Sequence, residues 1–224
     1  MTMTINNILN LNELWQYVID IEKEHSRNDL HPILGNGNCL RPKYMFVFIN
    51  PTIRNISSNK KWAGPRFPFI GTKQIWRIFT KSNLFDSKLM LEIEKNKDWS
   101  LELTNKVLDF LNSKKIYITN IVKSTGNDAT LPNSELIKRY LPILEKEIEI
   151  IRPEYIITFG LIPFEALTKK KIKLSDYYNK VITNNKPLYY NITINTTHTK
   201  IIPCYFPIGR GNPKQAIEIL KLLK

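Results

Sequence analysis

The chain has 224 residues, 42% of them apolar, and its 33 lysines and arginines against 20 aspartates and glutamates give a formal charge of +13. That apolar fraction supports a packed core and excludes a disordered chain, while two cysteines (Cys39, Cys204) and three histidines (His25, His31, His198) argue against a disulfide framework, a four-cysteine cluster or a histidine-rich metal site. No segment approaches the roughly 18 uninterrupted apolar residues of a membrane span, and the first residues lack a basic lead into an apolar block, so a soluble protein in a reducing, cytoplasmic compartment is expected.

In chain order, Leu11, Trp15, Val18 and Ile21 fall near helical spacing, with acids on the other face, and predict an amphipathic helix within residues 1–25. Tyr44 to Ile49 is a continuous apolar run of strand length, as expected of a strand buried on both faces, and it ends at Asn50-Pro51. Past a loop rich in Asn, Ser and Gly, Thr72 is placed to cap a helix that turns Ile75, Trp76 and Phe79 inward. A helix is expected from Ser100 to Asn112, a strand from Ile116 to Thr119, a long helix from Ser134 to Ile151, and a strand from Tyr155 to Phe159 stopped by Gly160. Leu161 to Lys169 reads as helix, Lys173 to Thr197 stays open between forms including a hairpin, and Ile201 to Tyr205 is a fourth strand. The last helix opens with Asn212 as cap and Pro213 at its first position. This alternation predicts an α/β fold with a mainly parallel sheet of four strands covered on both faces, as one domain over residues 1–224 with the N-terminal helix packed on it. In such sheets ligands meet the carboxyl ends of the strands.

The charge is regional. Leu30 to Phe85 contains no acidic residue and nine basic ones: Arg41, Lys43, Arg54, Lys60, Lys61, Arg66, Lys73, Arg77 and Lys81. Tyr177 to Ile217 is also free of acids and carries Lys180, Lys186, Lys200, Arg210 and Lys214. The rest of the chain, with 19 basic and 20 acidic residues, is nearly neutral. A localised positive field of this kind suits a polyanionic partner. Glycine-rich nucleotide loops are not supported, since no strand is followed by Gly-x-Gly-x-x-Gly or Gly-Lys-Thr, and there is no Gly-x-Ser-x-Gly elbow.

Four strand-end blocks remain: FINPT, FPFIGTKQIWRIF, YITNIVK and FPIGRGNPKQA. In this order they resemble the uracil-DNA glycosylase superfamily over about residues 30 to 220. FINPT is similar to the Asn-Pro motif of the mismatch-specific and single-strand-selective branches, whereas PFIG and YITNIVK resemble the thermostable branch that carries an iron–sulfur cluster. The cluster-binding cysteines are missing, so no cluster, metal or other cofactor is expected. The resemblance implies a three-layer α/β/α domain with a parallel four-stranded sheet, acting as a monomer on DNA.

Carried over residue by residue, the resemblance implies that Asn50 holds the attacking water. Its amide carbonyl can orient water but is no strong base, and little basicity is needed if the glycosidic bond is mostly broken first. Phe69 matches the aromatic on which the extruded base stacks. Asn120 matches the residue that reads the base edge, since an amide can accept from uracil N3–H while donating to O4 and is left unpaired by cytosine. Ile208, Gly209, Arg210, Gly211 and Asn212 match a loop that enters the minor groove, with Ile208 as apolar wedge and Arg210 filling the gap. Lys60, Lys61 and Arg66 are the further candidates for phosphate contacts.

Two positions depart from the family pattern. Phe206 stands where many members have a histidine that stabilises the departing base, and Phe48 stands where glycine is common beside the bound base. His198 reads first as a residue at the start of a strand and only second as a replacement for the missing imidazole, and Lys123 as a phosphate contact ahead of the nucleophile of a Schiff-base lyase. The expectation is a monofunctional glycosylase that excises uracil or a related deaminated base in base excision repair. The alternative is a catalytically weak or inactive nucleic-acid-binding protein with the same fold, which Phe48 and Phe206 make credible.

Overall fold

A computed structural model describes residues 4–25, 29–96 and 99–223. Its elements are α1 (Leu11–His25), β1 (Asn36–Gly37), β2 (Tyr44–Phe48), α2 (Gln74–Lys81), α3 (Ser87–Lys95), α4 (Leu101–Ser113), β3 (Ile116–Asn120), α5 (Ser134–Ile151), β4 (Tyr155–Phe159), α6 (Leu161–Thr168), α7 (Leu174–Asn184), β5 (Tyr190–Ile194), β6 (Thr197–Cys204) and α8 (Pro213–Lys221). Among the described residues they form one sheet in the order β1-β3-β2-β4-β6-β5. The four inner strands are parallel, and a short antiparallel strand closes each edge. The α/β/α architecture expected from the alternation is therefore present, with six strands instead of four.

Strand periodicity divides the interior in two. Tyr44, Phe46 and Phe48 of β2 face the layer of α2, α3, α4, α7 and α8, where Ile75, Trp76 and Phe79 of α2 are buried as their spacing predicted. Met45 and Val47 face the opposite layer, built from α1, α5 and α6. In α1 the deepest side chains are Leu14 and Val18, while Trp15 and Ile21 lie at the margin of that layer.

Helix starts follow the expected chemistry in most places. Ser100, Asn133 and Asn212 each accept a backbone N–H from three residues on, and Pro213 occupies the first turn of α8. Thr72 does not cap α2. Its hydroxyl donates to Phe69 O at 3.0 Å, because a tight turn through Phe69 and Gly71 consumes it, and the helix begins at Gln74 without a side-chain cap. α3, capped by Asp86, was not foreseen, nor was β1. The open stretch after Lys173 resolves into α7 and then a hairpin in which Asn195 and Thr196 join β5 to β6. β6 consequently starts at Thr197, four residues earlier than the apolar run that marked it.

Candidate functional site

Because the inner strands are parallel, the carboxyl ends of β2, β3, β4 and β6 share one edge of the sheet. The loop after β2 belongs to one acid-free segment and the loop after β6 to the other. They meet at this edge, where the Phe48 and Phe206 rings lie 6.3 Å apart and nearly perpendicular.

Asn120 closes β3 and pairs in register with Phe48 of β2, so both side chains leave the sheet on the aromatic side. Asn120 is 1% exposed, and its Nδ2 has no hydrogen-bond partner. A buried amide donor left unpaired costs about 1–3 kcal/mol, so it marks a position retained for something other than stability. The Phe69 ring lies 4.6 Å from that of Phe48 at 76°. Phe69 adopts φ +72°, a conformation that is an outlier for a bulky side chain. Its carbonyl is held by Thr72 N at 3.2 Å, Thr72 Oγ1 at 3.0 Å and Trp76 Nε1 at 3.2 Å. The strain is thus fixed by its surroundings, as is usual where a side chain must be aimed.

Asn50 lies just past β2 and lines a neighbouring cleft of about 620 Å³ bounded by residues 122–139, including Gly126, Leu131 and Arg139. Its Nδ2 is 3.5 Å from both Pro51 O and Thr130 O, which orients the amide and leaves Oδ1 without a hydrogen-bond partner among the described residues. The structure therefore brings Asn120 and Phe69 together around Phe48, and sets Asn50 beside them in a cleft of its own. That cleft escaped sequence reasoning. It arises because a Thr52–Gly126 bridge, with Gly126 N donating to Pro51 O at 3.0 Å and Ile53 N to Gly126 O at 2.9 Å, ties two loops far apart in the chain.

The loop after β6 is a turn closed by Gly211 N to Ile208 O at 3.1 Å and Asn212 N to Phe206 O at 2.9 Å. Gly209 takes φ +61°, and a Cβ on Gly211 would collide with the Phe206 carbonyl, so both glycines are required by the turn itself. Asn212 is engaged as the cap of α8, and Ile208 is half-buried against the aromatic layer, so the expected wedge does not project freely. Ile53, 52% exposed beside Arg54 in the loop after β2, is the more protruding apolar group at this edge. Among the basic candidates, Arg210 and Lys61 are exposed and form no ion pair among the described residues. Lys60 pairs with Asp29 at 2.9 Å in an exposed, solvent-screened contact that a phosphate could displace. Arg66 donates to Asn59 O at 3.2 Å and Trp62 O at 2.9 Å, bracing its own loop.

Two further candidates are corrected. Lys123 is fully buried on the opposite side of the sheet, where Nζ donates to Glu147 Oε2 at 2.6 Å, Asn120 O at 2.6 Å and Thr119 Oγ1 at 2.5 Å. It cannot attack a sugar or touch a phosphate there, and burial lowers the pKa of its ammonium against the pull of Glu147. His198 lies at the start of β6, six residues or about 20 Å from the strand's carboxyl end, with Nδ1 2.9 Å from Thr193 Oγ1. It is at the wrong end of the sheet to replace an imidazole at position 206. Cys39 is exposed and Cys204 buried at the end of β6, and two thiols do not fit a cluster that takes four.

These strand-end features coincide with what comparison finds. A family model described as the uracil DNA glycosylase superfamily matches residues 34–223. The type-4 uracil-DNA glycosylase of Pyrobaculum aerophilum is 36% identical over 69 residues, a match that spans 29% of this chain and 35% of that protein. Among the described residues, no helix is long and apolar enough to cross a membrane. With a match that takes in every inner strand and every loop at the shared edge, the chain belongs to the uracil DNA glycosylase superfamily.

Proposed function

We propose that this protein hydrolyses the N-glycosidic bond of uracil, or of a related deaminated base, flipped out of DNA. The observation that carries this reading is the unpartnered, buried Nδ2 of Asn120 on the same face of the sheet as the strained Phe69. A uracil stacked on Phe69 would offer O4 to that donor and N3–H to the amide carbonyl, satisfying a group that the protein leaves unpaired.

Asn50 Oδ1, without a hydrogen-bond partner among the described residues, would accept a hydrogen bond from water and aim it at the anomeric carbon. In a dissociative transition state the sugar is already cationic, so orientation matters more than basicity. Phe206 cannot donate to the anion developing on the base, and backbone N–H groups would have to take that part. Arg210 and Lys61, with Lys60 after exchange of its Asp29 partner, would hold phosphates. Arg66 would contribute through the loop it braces. With Lys123 sealed away, the strand-end lysine cannot form a Schiff base, and the product would be an abasic site with an intact backbone.

The test is incubation with uracil-containing oligonucleotides, single-stranded, U:A and U:G, followed by alkali. Strand scission is expected after alkali and not before it, with no borohydride-trapped adduct. Absence of scission in all three substrates sinks the reading. One observation favours the runner-up, a binder without turnover: the Phe48 ring stands beside Asn120, and retention of uracil DNA without product would select it.

A further inference from the structure

Resting on the reading above, we infer that Phe48 is a plug in the base site, and that its ring decides which bases reach Asn120 and how fast. β2 and β3 run parallel with Phe48 opposite Asn120, so the two side chains rise from the sheet side by side, about 4.8 Å apart at their roots. The Phe48 ring is 1% exposed. It stacks on Phe159 at 4.3 Å and 9°, and it meets Phe69 at 4.6 Å and Phe206 at 6.3 Å, both nearly perpendicular. One ring therefore adjoins the reading amide and also touches the stacking platform.

The amide shows the consequence. Asn120 Nδ2 is sealed from solvent and meets no acceptor among the described residues, which is the state expected of a pocket whose polar wall is built and whose volume is filled. A planar base needs about 3.5 Å of clear depth over the Phe69 ring face and an open line to the amide. Phe48 obstructs that approach. A base enters only when the ring swings off Phe159, and that displacement breaks a well-aligned aromatic stack. The plug thus taxes every substrate by the fraction of time the pocket stands open.

The test uses the full chain, wild type against Phe48→Ala, alone and combined with Asn120→Leu. Free uracil at millimolar concentration is the probe, with benzene as a shape control, and the melting temperature is the readout. Uracil is expected to raise the melting temperature of Phe48→Ala and not that of the wild type, and Asn120→Leu is expected to abolish the rise. Single-turnover excision from a U:G oligonucleotide is expected to be at least tenfold faster in Phe48→Ala than in the wild type.

Equal, measurable excision rates, or equal uracil binding by the wild type with excision present, overturn the plug while leaving the glycosylase reading intact. An Asn120-dependent uracil shift without excision in either protein supports the plug and removes the glycosylase reading. A benzene shift with no uracil shift overturns the plug, and the glycosylase reading then stands or falls on excision alone. Should Phe48→Ala fail to fold, Phe48→Leu keeps an apolar contact with Phe159 and opens a smaller gap. An intermediate gain in that variant supports the plug, and no gain overturns it.

Discussion

The two sides of the central sheet solve different problems with the same strands. On the side of α2, α3, α4, α7 and α8 the layer is aromatic, and its polar atom at the strand tips, Asn120 Nδ2, is left unsatisfied. On the side of α1, α5 and α6 the layer holds two buried carboxylates, and both are satisfied, although the buried Thr158 hydroxyl of β4, which strand alternation places on this side, is not. Glu147 takes Lys123 Nζ, Tyr117 OH at 2.7 Å and Thr119 Oγ1 at 3.2 Å, while Glu22 takes Tyr140 OH and Ser124 Oγ at 3.1 Å. The two sides are linked at Asn120, where Lys123 donates to its backbone carbonyl at 2.6 Å. The contrast teaches that the charged side holds the strand tip still so that the aromatic side can present an amide at a cost in stability.

The largest effect is expected from breaking the buried Lys123–Glu147 pair. Glu147→Leu leaves a buried ammonium without its counter-charge, and unfolding free energy should fall by about 3–5 kcal/mol, read from chemical denaturation. Lys123→Met with Glu147→Leu removes both charges and should recover most of that loss, since paired buried ions are often replaceable by apolar groups. The double variant sharpens the comparison. If Lys123 anchors Asn120, the recovered protein should excise uracil more slowly than the wild type, and full activity would reduce the charged side to a matter of stability alone.

The unsatisfied side should respond with the opposite sign. Asn120→Leu removes a buried donor that has no partner and substitutes an apolar group of similar size, so stability should rise by about 1–3 kcal/mol while base recognition is lost. A variant that is less stable than the wild type would show that Asn120 is a structural cap after all.

How much of this was readable beforehand follows from range. Apolar runs such as Tyr44–Ile49 and helix signals such as Ser100 or Asn212-Pro213 are local, and the elements that they announced are present within a residue or so. Asn120 and Phe69 were reachable because each ends or follows such an element. Lys123 was misjudged because its neighbour in sequence, Asn120, is a candidate site residue, whereas the backbone past β3 turns its side chain toward Glu147, 24 positions away. His198 was misplaced because the start of β6 depends on hairpin pairing with β5, and the apolar signal began only at Ile201. The cleft at Asn50 depends on a bridge between Thr52 and Gly126 that no local pattern encodes.

A smaller effect is expected at the rim of the aromatic side. Lys61→Ala and Arg210→Ala should each lower the slope of log K against log salt for uracil DNA by about 0.7–0.9, the value for one phosphate contact, with little change in preference among bases. Arg66→Ala should instead loosen the 59–66 loop, because its guanidinium is spent on Asn59 O and Trp62 O. A lower melting temperature with an unchanged salt slope is the expected result, and a reduced slope would return Arg66 to the phosphate contacts.

The smallest expected effect lies where the two sides are tied together behind the loops. His31 receives Thr125 Oγ1 on its carbonyl at 2.7 Å and donates its backbone N–H to Ser58 O at 2.7 Å, joining the loop after β2 to the segment after β3. Burial lowers its imidazole pKa below 6.5, and the nearby Arg66 and Lys60 charges act the same way, against a contact of Nδ1 with Pro32 O that favours the protonated ring. The unfolded chain therefore binds the proton more readily than the folded one. Stability from the neutral ring is full above about pH 6.5 and is lost as pH falls through the depressed folded value. A melting temperature that declines between pH 7 and pH 5, and declines less in His31→Gln, is the expected outcome. Parallel declines in the two proteins would move the proton uptake to another group. If uracil DNA is bound across these loops, the wild-type melting temperature should rise in its presence at both ends of this pH range, because a ligand that holds both loops adds stability only to the folded state.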